Sequence, residues 1–237
     1  MSITTTVIDY SGNGETYEGY LAHPGGSDRP VVLVCHAWGG QGAFEQEAAK
    51  KLAEMGYAGF AVDVYGKGKR GTTVEENQAL MNPLVGDRAE LQSRLALALE
   101  TAKGIDGVDG SKAAAIGFCF GGLCVLDMAR MGADVAASVS FHGLLGGAPN
   151  LAEPKPKAKV LALHGWDDPM ATPDDVMAFS KEMSAAGADW QLIAYGDTVH
   201  AFTNPGAQDK ANGMGYDPVV TRRAWAACED LLDECFG

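Results

Sequence analysis

Residues 113–123 read Ala113-Ala114-Ala115-Ile116-Gly117-Phe118-Cys119-Phe120-Gly121-Gly122-Leu123, and a helix-like segment continues to Met131. The apolar run predicts a buried strand, the small residues a sharp turn, and the stretch beyond them a helix. A reactive side chain at the tip of such a strand-turn-helix elbow is exposed, and small neighbours let the backbone bend without clashes. The central residue is Cys119, where the usual spelling has Ser. A helix N-terminus beneath a thiol favours the thiolate, which is the nucleophilic form. Two other readings share the pattern: a phosphate cradle at the helix N-terminus, and a packed cysteine in a tight turn. The glycines fit neither G-x-G-x-x-G nor G-x-x-x-x-G-K-[ST], which weakens the first. The second stands until partners for the thiol are found.

Working outward from the elbow, strands and helices alternate. Ile3 to Tyr10 and Thr16 to His23 are rich in β-favouring residues around Ser11-Gly12-Asn13-Gly14, which predicts an N-terminal hairpin over 3–23. Val31 to Cys35 is a continuous apolar run, the pattern of a strand buried on both faces. Helix 44–55, capped by Gly56, and strand 58–62 follow, then a cationic loop broken by glycines at 66, 68 and 71. Segments 75–81 and 87–103 read as helices, the second with Leu91, Leu95 and Leu99 on one stripe. Beyond the elbow come strands at 136–140, 160–164 and 190–195, and helices at 173–186 and 218–235. Pro154-Lys155-Pro156-Lys157 reads as a surface loop, because the strands after it need the same sheet as those before it. The whole predicts an α/β fold, a mostly parallel sheet with helices on both faces, in one domain over 1–237.

Length and composition narrow the function. A chain of 237 residues with 46% hydrophobic and 21% charged residues suits an ordinary globular enzyme with a sizeable core. Its 18 basic against 31 acidic residues, net −13, argue against nucleic acid or an anionic membrane as partner. No basic and apolar leader is visible at Met1-Ser2-Ile3-Thr4, and no apolar run reaches the ~20 residues of a membrane span. Five cysteines at 35, 119, 124, 228 and 235 lack the spacing of a disulfide framework. The expectation is a soluble cytoplasmic protein, monomeric or a small homo-oligomer, acting on a small molecule without metal or cofactor.

In parallel sheets, reactive groups gather at the carboxyl ends of strands. Such loops here hold His36-Ala37-Trp38-Gly39-Gly40, Cys119, Gly165-Trp166-Asp167-Asp168-Pro169, and Gly196-Asp197-Thr198-Val199-His200-Ala201-Phe202. Nucleophile, acid, histidine in that chain order is the order of α/β-hydrolases. The chemistry needs His200 to share the thiol proton and a carboxylate to fix the ring's tautomer. Asp168 is preferred for the acid because Pro169 restrains the backbone after it; Asp167 and Asp197 are the alternatives, both suited to turn roles. An oxyanion hole would take the Phe120 backbone N–H and that of Ala37 or Trp38. His36 is placed to orient that loop or to serve as a hydrogen-bonded structural residue. His142, Phe202, Asn204 and Arg70 complete the candidate pocket, with core packing or a solvated loop as their plainer roles.

With these pieces assembled, the chain resembles the dienelactone hydrolases, a cysteine-using branch of the α/β-hydrolases. The resemblance rests on Gly117-Phe118-Cys119-Phe120-Gly121-Gly122, His164-Gly165-Trp166-Asp167-Asp168-Pro169 and His200-Ala201-Phe202-Thr203-Asn204-Pro205, with weaker support from 36–40 and 63–66. It implies Cys119 as nucleophile, Asp168 as acid and His200 as base, hydrolysing a lactone or ester. The departures bear on substrate. Family members that open dienelactones hold the substrate carboxylate with two arginines. One stands four positions after the histidine, where this chain has Asn204; the other lies in the segment that here holds Lys67, Lys69 and Arg70. A glutamate that partners the resting thiol in those members corresponds to Ala37, or to His36 with a one-residue shift. The competing functions are a broad carboxylesterase without dienelactone activity, a hydrolase-fold binding protein that has lost turnover, and a redox sensor using Cys119. Ester turnover that depends on Cys119 separates the first from the other two.

Overall fold

The computed structural model describes residues 2–12, 14–151, 153 and 155–237. Asn13 of the expected hairpin turn, Pro154 of the expected surface loop and Met1 lie outside them. Eight strands make one sheet in the order β1-β2-β4-β3-β5-β6-β7-β8, and contacts divide the chain into two compact units, 1–116 and 117–237.

In the first unit, β1 (Thr4–Gly12) and β2 (Glu15–His23) form the expected antiparallel hairpin. Tyr10 sits opposite Tyr17 and their rings stack 5.2 Å apart. β2 also runs antiparallel to β4 (Ala58–Ala61), which lies parallel to β3 (Arg29–Cys35). Every residue from Val31 to Cys35 is fully buried, as a strand without polar alternation must be. Burial of each such Val or Leu is worth roughly 1.5–3 kcal/mol. Helix α1 (Ala43–Glu54) joins β3 to β4 and lies close against the sheet. A Cβ at Gly59 would stand 2.2 Å from the Ala49 carbonyl oxygen.

Helices α2 (Val74–Gly86) and α3 (Arg88–Lys103) follow, and α3 buries Leu91, Leu95 and Leu99. Right-handed crossovers that leave in opposite directions along the sheet put α1 and α3 on opposite faces. Two boundaries differ from expectation. α2 continues to Gly86 past Pro83, because the Pro83 carbonyl still accepts from the Asp87 N–H and only the proline's own donor is lost. β5 (Val108–Phe118) begins five residues before the apolar run and takes in Asp109 and Ser111, where Asp109 accepts from both the N–H and the hydroxyl of Ser111.

In the second unit, α4 (Phe120–Arg130) follows the elbow and β6 (Ala137–Phe141), β7 (Lys159–Gly165) and β8 (Trp190–Tyr195) run parallel. Helices α5 (Pro173–Ala185) and α6 (Pro218–Phe236) complete it. Ser140 and Phe141 point to opposite faces of β6. A Cβ on Gly122 of α4 would meet Ser140 Oγ at 2.6 Å, whereas Trp225 of α6 packs on Phe141 at 5.1 Å. The two helices therefore cover the two faces. Buried Arg130 ties the end of α4 to α5 through two 2.8 Å bonds to Glu182. A small ribbon that the sequence did not announce, β9 (Gln208–Asp209) and β10 (Met214–Gly215), closes round a 3₁₀ turn at Lys210–Asn212.

Candidate active site

The elbow has the geometry its residues demand. Cys119 adopts φ 56°, ψ −115° at the N-cap of α4, a conformation that non-glycine residues rarely hold. Its N–H donates to the Phe141 carbonyl at 3.1 Å, and its carbonyl accepts from Gly122 at 2.9 Å. Two glycines make the turn possible. A Cβ at Gly117 would fall 2.0 Å from the Gly121 carbonyl oxygen, and one at Gly122 would fall 2.5 Å from the Gly143 Cα. Cys119 is partly exposed, whereas Cys35, Cys124 and Cys228 are buried, and none of the five cysteines is in a disulfide.

Asp168 and His200 meet in the interior. Asp168 Oδ2 lies 2.7 Å from His200 Nδ1, and Asp168 Oδ1 accepts the Met170 N–H at 2.8 Å. Of the three candidate acids, Asp167 is exposed, and Asp197 is exposed and bonded to Lys210, so only Asp168 reaches the ring. Pro169 also packs beneath Gly213, where a Cβ would stand 2.4 Å from the proline ring. The His200 backbone is held by the unforeseen ribbon: its N–H donates to the Gly213 carbonyl at 2.9 Å and its carbonyl accepts from Gly215 at 3.0 Å. The sequence signal for this was the pair Gly213 and Gly215, two glycines in a short polar loop.

Cys119 acts on the same ring through its charge. His200 Nε2 is buried and has no hydrogen-bond partner among the described residues. Burial works against a charged imidazole here. It is outweighed by the negative charge of Cys119, the hydrogen bond to Asp168, a sulfur contact from Cys119 and the Asp168 charge, which together raise the His200 pKa to about 10. The arrangement holds a proton on the imidazole, with a carboxylate at Nδ1 and the charge of Cys119 acting on the ring.

Two further histidines stand close by. His142 is 2% exposed, its ring 5.1 Å from that of His200 and its Nε2 2.7 Å from Thr203 Oγ1. His164, which opens the Asp168 motif and was given no role of its own, is also buried and feels the charges of Asp168 and His200. Burial lowers the pKa of both, so each is neutral beside the charged ring. Phe202 is fully buried against His142 and Tyr195, so it packs in the core instead of lining a surface. The Asn204 side-chain oxygen accepts the Gly206 N–H at 2.8 Å, an Asx turn.

The first unit holds the other candidates. His36 is fully buried; its Nε2 accepts the Val64 N–H at 3.3 Å, so Nδ1 carries the proton that it gives to the Ala37 carbonyl at 2.7 Å. The Ala37 N–H donates to the buried Glu45 carboxylate at 3.1 Å, and Glu45 also takes the Gly42 N–H at 3.0 Å. That bond corrects one expectation: the Ala37 N–H is given to Glu45 and is not available to an oxyanion. Arg70 is corrected as well. Its guanidinium is engaged by the Gln41 backbone and side-chain oxygens, the Lys69 carbonyl and buried Asp63, so it braces two loops instead of presenting a clamp. Lys67 and Lys69 are likewise paired, with Asp9 and Glu15.

Comparison with known proteins identifies the family. The model of a family described as the dienelactone hydrolase family matches residues 17–236. An uncharacterised Caenorhabditis elegans protein is 37% identical over 157 residues, covering 65% of this chain and 99% of that one. An Aquifex aeolicus protein named "Putative carboxymethylenebutenolidase" is 29% identical over 227 residues, covering 92% and 94%. Among solved structures, a dienelactone hydrolase-like promiscuous phosphotriesterase from metagenomic libraries superimposes with TM-score 0.94 at 33% identity, across the full length of both chains.

Proposed function

Because the chain belongs to the dienelactone hydrolase family, and so to the hydrolases of ester bonds, we propose that it cleaves small neutral esters or lactones with Cys119 as nucleophile, His200 as acid and base, and Asp168 as the group that orients His200. The observation that carries this reading is the buried 2.7 Å bond between Asp168 Oδ2 and His200 Nδ1, beside an elbow that holds Cys119 at φ 56° on the N-cap of α4.

The sulfur attacks the carbonyl carbon, forming a C–S bond and placing negative charge on the carbonyl oxygen. The Phe120 N–H, at the first residue of α4, is the proposed donor to that oxygen. As the C–O bond to the leaving group breaks, His200 gives up its Nε2 proton to the departing oxygen, and a thioester remains. Acylation removes the sulfur's charge, which was the main influence keeping the proton on His200. The ring is then neutral and basic enough to take a proton from water. Attack by that water releases the acid and restores the sulfur–imidazolium pair.

Substrate charge follows from what the candidate clamps are doing. Asn204 stands where a family arginine would meet a carboxylate, and Arg70 is tied to Gln41, Lys69 and Asp63. Uncharged aryl esters and simple lactones fit these facts better than a carboxylate-bearing dienelactone. A second reading, turnover of neutral phosphotriesters, is supported by the metagenomic relative, which is 33% identical over the whole chain.

The test is a panel of a neutral aryl ester, a lactone, a dienelactone and an aryl phosphotriester, run with the wild-type protein and with Cys119→Ala. Loss of turnover in the variant, with an acyl adduct on Cys119 seen by mass spectrometry in the wild type, is the expected result. Equal rates in the two proteins would eliminate the cysteine mechanism.

A further inference from the structure

His142 takes no part in the proposed reaction, yet the chain holds it in an unfavourable conformation. Among the described residues, four that are not glycine have positive φ: Cys119, His142, Asp197 and Ala201. Cys119 is the elbow residue and Ala201 follows His200, so strain gathers around the reacting groups. His142 holds φ 39° just past the end of β6, its N–H fixed to the Leu163 carbonyl at 2.8 Å.

The imidazole of His142 is enclosed. It meets Phe202 at 5.0 Å and 81°, His200 at 5.1 Å and 69°, and Phe118 at 6.0 Å. Its Nε2 is tied to Thr203, three residues beyond His200 in the same loop. Asp168 holds the His200 ring at Nδ1, and Cys119 acts on the ring through its charge. A hold at Nδ1 leaves one motion weakly opposed, a tilt of the ring about that bond. A second flat ring set at 69° blocks that tilt. The tilt matters because Nε2 must serve two atoms in turn, the sulfur and the leaving oxygen, and hydrogen bonds weaken steeply off-line.

We propose that His142 is a positioning residue that sets the tilt of the His200 ring, and that the Thr203 hydroxyl holds His142 in place to do so. This rests on the reading of His200 as acid and base. A ring is what the role requires; the nitrogen that Thr203 binds only steadies it.

Three variants test this on the aryl ester that the wild type turns over best. His142→Asn suits the positive φ but removes the ring, His142→Phe restores a ring without the nitrogen, and Thr203→Val removes the hydroxyl. In folded His142→Asn, kcat falls about 100-fold with KM little changed, the scale of a small misplacement of a catalytic group. His142→Phe recovers most of that loss, and Thr203→Val loses a few-fold in kcat. Without substrate, the far-downfield proton resonance of the His200–Asp168 bond is sharp in wild type and His142→Phe and broadened in His142→Asn. An unchanged kcat in folded His142→Asn, or a Phe variant as impaired as the Asn variant, would overturn the proposal. Should the His142 variants not fold, an unchanged kcat in Thr203→Val overturns it equally. Cys119→Ala is run alongside. Turnover that survives this change defeats the reading of the reaction, whereas turnover that needs Cys119 but ignores His142 defeats only the positioning role.

Discussion

Asp168 Oδ2 and His200 Nδ1 stand 2.7 Å apart with both side chains sealed from solvent, although 32 residues separate them along the chain. A carboxylate there accepts the Nδ1 proton and so leaves Nε2 for the sulfur side. An amide in its place offers an N–H as readily as an oxygen and permits the wrong tautomer. Asp168→Asn is therefore expected to keep the fold and lose about 10³–10⁴-fold in kcat, by analogy with triads of this kind. Steady-state hydrolysis beside circular dichroism checks it, and a loss below about tenfold would remove Asp168 from the mechanism.

Replacing the sulfur tests the charge balance directly. Cys119 contributes its charge and its contact to the raised pKa of His200. In Cys119→Ser both are gone, burial still disfavours the cation, and only Asp168 supports it. The His200 pKa is expected to drop from about 10 toward the ordinary histidine range. Titration of ¹⁵N-labelled histidines measures it, and an unmoved value would show that the sulfur does not act on the ring.

The elbow should not tolerate even a methyl group. An alanine Cβ at position 122 would approach the Gly143 Cα at 2.5 Å and Ser140 Oγ at 2.6 Å, and backbone cannot give way as a side-chain tip can. Gly122→Ala is expected to destabilise by about 1–3 kcal/mol, the usual cost of overpacking. A shift in the urea midpoint measures this, and an unchanged midpoint would mean that α4 is not seated on β6 as described.

Acid should weaken the fold through His36. Burial lowers its pKa to about 4, and the Val64 N–H needs its unprotonated Nε2. An unfolded histidine titrates near ~6.5, so below that pH the unfolded chain binds a proton that the folded chain refuses. The stability from this group is thus present above pH ~6.5 and falls away as the pH drops toward about 4. Buried His142 adds to the loss in the same direction. Denaturation curves at about pH 7, 5.5 and 4 should show declining stability; a flat series would contradict the neutral, doubly bonded His36.

Much of this protein was legible before its structure. The apolar run 31–35 and the Gly117–Gly122 turn declare a buried parallel strand and an elbow, because strand burial and tight bends are local demands on side-chain size and polarity. The preference for Asp168 as the partner of His200 was likewise available from strand ends and chain order, and the two side chains meet at 2.7 Å. The 208–215 ribbon was not, since two-residue strands leave no periodicity to detect. Nor was the commitment of Arg70 to Gln41, 29 positions away, which turned a candidate clamp into a brace.

The amino-acid order alone determined the alternation of elements and the residue types able to do the chemistry, because period and steric size act between near neighbours. Tertiary structure decided which donors remained to be used. Ala37 gave its N–H to Glu45, His36 its acceptor nitrogen to Val64, and His142 came to rest against the ring of residue 200. A hydrogen-bonding group can be spent only once within reach of its partner, and that reach is set by folding and not by distance along the chain.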